Sequence, residues 1–109
     1  MSARRGTDLL AALRKRVERT DDAILALLVK RTVLARQIGA AKAASRRPVL
    51  DPAREARVVR RAAARARDLG LPPEPVRALF WDIIAMCRAE QVRLPVAAGQ
   101  RPRRGGRTS

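Results

Sequence analysis

The 109-residue sequence has no histidine and no tyrosine, and only one cysteine, one tryptophan and one phenylalanine. Each shortage excludes something. Without an imidazole there is no histidine base and no histidine metal ligand. A lone Cys87 rules out an internal disulfide framework and agrees with a reducing compartment. Two aromatics, Phe80 and Trp81, adjacent in one apolar run, are too few to stack against successive bases. The longest uninterrupted apolar run, "AILALLV", falls far short of the roughly 20 residues a membrane-spanning helix needs. "MSARRGT" leads into charged helical sequence rather than the apolar core of a signal peptide. Neither strand-like alternation nor an internal repeat stands out. The expectation is one all-α domain, cytoplasmic, with no membrane segment.

What is abundant is arginine. Lys plus Arg number 25 against 10 Asp plus Glu, for a formal charge of +15. Such a balance suggests a polyanionic partner, but six of the cations lie at the two ends, in Arg4, Arg5, Arg101, Arg103, Arg104 and Arg107. Alanine and arginine together are also what a GC-rich coding sequence produces. A basic helical nucleic-acid-binding protein is therefore the rival of another class, disfavoured for want of a recognition motif or stacking aromatics.

Three helices are predicted. Thr7 or Asp8 can cap the first, from about Leu9 to Ala44, where Gly39 is its one weak point. "SRRPV" ends it, since Pro48 pushes Arg47 out of the α region. "DPARE" starts the second: Asp51 is a good N-cap, Pro52 suits the first helical position and Glu55 adds negative charge near the positive end. That helix reaches about Arg67 and stops at "DLGLPP"; its apolar face is thin, mostly Val58, Val59 and alanines. The third runs from Pro73–Pro75 to about Arg93, with Val76, Leu79, Phe80, Ile83, Ile84 and Cys87 as its buried stripe. The domain is expected over 8–94, with a disordered terminus at 1–7 and a disordered basic tail at 95–109.

The first helix poses the main puzzle. Steps of three and four trace a seam through Leu10, Arg14, Val17, Asp21, Ile24, Leu28, Arg31, Ala35, Ile38 and Lys42. A charged side chain facing a core needs a partner or a ligand, because uncompensated burial costs about several kcal/mol. A helix about 55 Å long cannot be covered by so few other residues, so a second copy is expected along it. If two copies pair antiparallel about residue 26, position 14 of one falls beside position 38 of the other, between Arg31 and Lys42. The resulting pocket would hold three cations for an anionic ligand. Asp51, Arg54 and Glu55 share a face of the second helix, and Cys87 and Gln91 are an i, i+4 pair on the third. There is no Ser–base pair, activated thiol, Gly-rich phosphate loop or metal cluster, so an enzyme of this kind would work by positioning and electrostatics.

These residues, in this order, carry a resemblance. "LR" at 13–14, "LLVKR" at 27–31, "IGAAK" at 38–42, "RPVLDPAREA" at 47–56, "LF" at 79–80 and Gln91 together resemble the all-helical (AroQ) class of chorismate mutase, over about residues 8–92. The resemblance implies an intertwined antiparallel homodimer of three-helix protomers. It also implies the cofactor-free rearrangement of chorismate to prephenate, in the shikimate pathway to the aromatic amino acids. By the same resemblance Arg14, supplied across the interface, and Arg31 clamp the substrate carboxylates. Lys42 and Gln91 donate to the ether oxygen of the breaking bond, Asp51 and Glu55 receive the ring hydroxyl, and Arg54 lies beside them. Cys87 departs from the bacterial pattern, which carries Ser, and a thiol is the weaker donor.

Each residue also has a plainer reading. Arg31 could pair with Asp21 or Asp22 of a neighbouring helix, Lys42 could complement the helix dipole, and Asp51 could be only a cap. Within the fold the alternatives are an isochorismate-pyruvate lyase and a 4-amino-4-deoxychorismate mutase. Whether a larger enzyme of the pathway activates the chain is not legible in these residues.

Overall fold

In the computed structural model, residues 2–92 are described; the tail expected at 95–109 lies outside them. They form three helices and no strand: α1 (Ser2–Ala44), α2 (Pro52–Asp68) and α3 (Pro73–Gln91). Helix α1 begins at Ser2, not near Leu9, so neither Thr7 nor Asp8 caps it. The Thr7 hydroxyl instead donates to the Ala3 carbonyl, 3.0 Å away within the helix. Gly6 and Thr7 are weak helix formers, but each costs only about 1 kcal/mol or less, too little to stop a helix already propagating over forty residues.

The loop that follows is tightly built. The Arg46 N–H donates to the Ala43 carbonyl and the Arg47 N–H to the Lys42 carbonyl, at 3.2 and 2.8 Å, which is the Schellman pattern. Arg46 takes the left-handed conformation that pattern requires, with φ 58°. The turn thus ends α1 before Pro48 can act. Helix α2 opens as the sequence predicts, the Asp51 carboxylate accepting from the Arg54 N–H at 3.1 Å with Pro52 in the first turn. It closes in a second Schellman turn, with Leu71 N–H on the Ala66 carbonyl and Gly70 at φ 78°.

Helix α3 packs against both other helices, while α1 and α2 do not pack on each other. The molecule measures 66 × 40 × 14 Å. The smallest figure barely exceeds the roughly 10–12 Å diameter of one helix with its side chains, so the three helices lie in a single layer. A layer one helix thick has almost no interior. The core is small and alanine-rich: Ala35, Val59, Ala62, Ala63, Ala66, Ile84 and Cys87 are buried. Only part of the stripe expected on α3 is covered. Ile84 and Cys87 are buried and Val76, Phe80 and Ile83 half-buried, but Leu79 is 55% exposed, because a single layer provides α3 with no neighbour over that face. The first half of α1 is bare throughout, with Leu10, Leu13, Val17 and Ile24 exposed. No helix among the described residues is long and apolar enough to cross a membrane.

Gly39 is not the weak point the sequence suggests. It is buried, and a Cβ there would collide with the backbone oxygen of Gln91 and lie 2.9 Å from its Cα. The missing side chain is what lets the end of α3 come this near α1. Gly39→Ala gains about 1 kcal/mol in helix propensity but forces backbone against backbone, and overpacking of that kind typically costs about 1–3 kcal/mol. The clash should win, with thermal unfolding moving down by several degrees; a variant as stable as the parent would show that the helices do not meet this closely.

Candidate active site

The contact at Gly39 puts Lys42, one turn further along α1, against the end of α3. The Lys42 ammonium donates to Gln91 Oε1 at 2.9 Å and to the Val49 carbonyl at 2.8 Å. Two of its three N–H donors are thereby used and one is left over. Since an ammonium can only donate, the Gln91 atom facing it is the carbonyl oxygen. The amide N–H groups of Gln91 then have no partner among the described residues. Next to Gln91, Glu90 accepts from Arg36 Nε of α1 at 2.8 Å, a second tie between the ends of these helices.

These groups border a cleft of about 420 Å³ between α1 and α2, backed by α3. Seven of the eight residues expected at the site line it: Arg31 and Lys42 from α1, Asp51, Arg54 and Glu55 from the start of α2, Cys87 and Gln91 from α3. Leu34, Ile38, Val58 and Ile84 supply an apolar lining. The eighth, Arg14, is not among the lining residues. It is exposed on the bare half of α1, seventeen residues before Arg31 and so roughly 25 Å away along the helix axis. Neither Arg31 nor Arg54 has a carboxylate within ion-pair distance among the described residues, so Arg31 does not form the pair with Asp21 or Asp22 within its own chain.

One participant was missed by the sequence reading. Arg88 of α3 grips Glu55 with a two-pronged contact, Nε donating to Oε2 at 2.8 Å and Nη2 to Oε1. The Glu55 side chain is only 15% exposed. The Arg88 fork holds the Glu55 carboxyl below its ordinary value, helped by the charge of Lys42 and opposed by burial and by Asp51. A signal existed: Arg88 stands three residues before Gln91 and four after Ile84, a cation on the packed side of α3. The Val49 carbonyl could not have been found this way, since a backbone oxygen has no sequence signature.

A second, wider groove of about 830 Å³ adjoins the cleft and shares Arg31 and Arg54 with it. Its floor is apolar, including Val58, Leu69, Val76 and Phe80, and its rim carries Arg57, Arg60, Arg61 and Arg65 of α2. The larger opening has no acidic residue in its lining and no groups converging on a point; the smaller one has both.

An all-helical layer whose small cleft sets guanidinium groups without carboxylate partners among the described residues beside two carboxylates and an oriented amide has the charge and the donors to hold a small anionic molecule. The family model of chorismate mutase type II matches residues 13–92, well over half of the chain. The chain belongs to that family, whose members are isomerases.

Because the folded pKa of Glu55 is depressed, its stabilising effect is complete above the ordinary value near 4.5 and is lost as pH falls through the folded value. Glu55→Gln should therefore flatten the dependence of stability on pH in the acid range, read from urea midpoints. An unchanged acid slope would mean the Arg88 contact does not form in solution.

Proposed function

We propose that this chain converts chorismate to prephenate without a cofactor, in an antiparallel homodimer whose catalytic unit spans residues 8–94. The observation that carries the reading is the Lys42–Gln91 contact at the edge of a cleft with unpaired Arg31 and Arg54. The rearrangement is unimolecular and moves no proton, so holding the substrate in a compact, reactive conformer supplies much of the acceleration. As the carbon–oxygen bond lengthens, charge grows on the ether oxygen. The remaining Lys42 donor and the Gln91 amide are suited to meet it, binding the transition state more tightly than the ground state. Arg31 takes one substrate carboxylate, and Asp51 and Glu55 receive the ring hydroxyl, with Arg54 beside them. Cys87 is buried behind the cleft and offers at most a weak donor.

Arg14 comes from the second copy. The bare half of α1 and the single-layer architecture both call for a covering layer. The wider groove is suited to receive that half of α1 from the partner: its floor is apolar, as are the exposed Leu10, Leu13, Val17 and Ile24. Such an exchange brings Arg14 beside position 38, at the mouth of the cleft.

Purified chain should consume chorismate and yield prephenate, with isochorismate and 4-amino-4-deoxychorismate assayed in parallel. Release of pyruvate and salicylate from isochorismate would identify a lyase, and nucleic-acid binding that weakens steeply with salt yet survives Lys42→Ala would favour the basic binding protein. Lys42→Ala and Gln91→Ala should each lower kcat by about 10²–10³; normal turnover in either refutes the assignment.

Shared clefts make a separate prediction. Mixing inactive Arg14→Ala and Lys42→Ala chains should restore activity to about one cleft in each mixed dimer. No recovery despite demonstrated subunit exchange would place Arg14 outside the site.

A further inference from the structure

Glu55 lines the cleft, yet both of its oxygens are already held by a residue that does not line it. Building on the chorismate reading, we propose that Arg88 is a positioning and specificity-determining residue: it presents Glu55 as a charge-compensated acceptor, which selects a neutral ring hydroxyl over a protonated ring amine.

The geometry supports this in two ways. First, a forked guanidinium–carboxylate pair fixes the plane of the carboxylate as well as its distance. The other lone pair on each oxygen remains available, so Glu55 can still accept a hydrogen bond, in one set direction. Second, the pair alters the charge that a substrate meets. The cleft is lined by three cations, Arg31, Lys42 and Arg54, and two carboxylates, Asp51 and Glu55. Arg88 adds a fourth positive charge beside Glu55. A hydroxyl loses little there, because it needs only an acceptor. An ammonium group needs an uncompensated anion and would meet a surplus of positive charge. Discrimination by a repulsive element of this kind is a general route to specificity.

Arg88 of α3, Lys42 of α1 and Asp51 at the start of its own helix act on Glu55, and Arg31, Arg54 and the Cys87 thiol line the same cleft. Of these, Arg88 is the largest influence in keeping Glu55 ionised. Arg88 itself is 39% exposed along its side chain, so its removal opens no cavity in the core.

The experiment compares Arg88→Met and Arg88→Lys with the parent chain. kcat/KM is measured for chorismate and for 4-amino-4-deoxychorismate across the acid and neutral range, and Glu55 is followed by carboxyl carbon NMR. In Arg88→Met the preference for chorismate should fall by about tenfold or more, a change of roughly 1.4 kcal/mol in relative barrier. The acid limb of the chorismate profile should move to higher pH, and the Glu55 resonance should titrate at higher pH by the same amount. Arg88→Lys retains the charge but loses the fork, so it should keep most of the preference while raising KM for chorismate. A merely structural Arg88 would lower activity toward both substrates alike and leave the acid limb in place; that result overturns the proposal. If the parent chain turns over chorismate but neither preference nor profile moves, the inference alone fails. If the parent does not turn over chorismate at all, the functional reading fails and takes the claim on specificity with it, while the NMR titration still decides whether Arg88 controls Glu55. Should Arg88→Met not fold, Arg88→Lys and the parent titration decide: a Glu55 that titrates at its ordinary value in the parent refutes the idea.

Discussion

The cleft depends on how near the end of α3 comes to α1. At Gly39 the two backbones approach closely enough that a single methyl group would collide with Gln91. Lys42 lies one turn beyond, and its reach to Gln91 and Val49 follows from that approach. A lysine held at one distance by two acceptors loses most of its freedom before any ligand arrives. In water such ordering would cost about 1.5–2 kcal/mol of side-chain entropy; here the fold has met that cost in advance, which is what preorganisation means for the donor role proposed for Lys42.

The rest of the cleft is a matter of unbalanced charge. Ion pairs elsewhere among the described residues are mostly exposed and local, as with Arg65–Asp68 and Arg77–Glu74, and contribute little to stability. In the cleft the arrangement differs. Arg31 and Arg54 have no carboxylate partner among the described residues, while Glu55 is bound from outside by Arg88. Unpaired cations beside a compensated acid leave a site that is short of negative charge, and a dianion would redress it. Nothing in this set has to gain or lose a proton for the proposed rearrangement to proceed, so the want of histidine in the sequence is no handicap.

Much of the fold was legible because its punctuation is chemical and local. Asp51 with Pro52 marks the start of α2, and "DLGLPP" its end, since a side-chain cap and a glycine with positive φ each act within a few residues. The candidate cleft was legible by spacing: positions 31 and 42, then 51, 54 and 55, then 87 and 91, fall on the faces that border it. What could not be read depends on tertiary closure. Gly39 looked like a flaw in a helix because its reason lies across the interface with α3. Arg46 occupies a left-handed position that sequence rules reserve for glycine or asparagine. The start of α1 was misjudged because local stop signals are small beside the cooperativity of a long helix. Leu79 is apolar and in phase with its stripe, but a one-layer molecule has nothing to set over it.

The exposed front half of α1 has a consequence for how such a chain would behave in a cell. If every complete cleft needs an arginine from another molecule, the law of mass action governs the output: in dilute conditions finished sites accumulate roughly as the square of the amount of chain. Modest differences in expression would then be amplified, and two gene variants made side by side would share each other's defects and strengths.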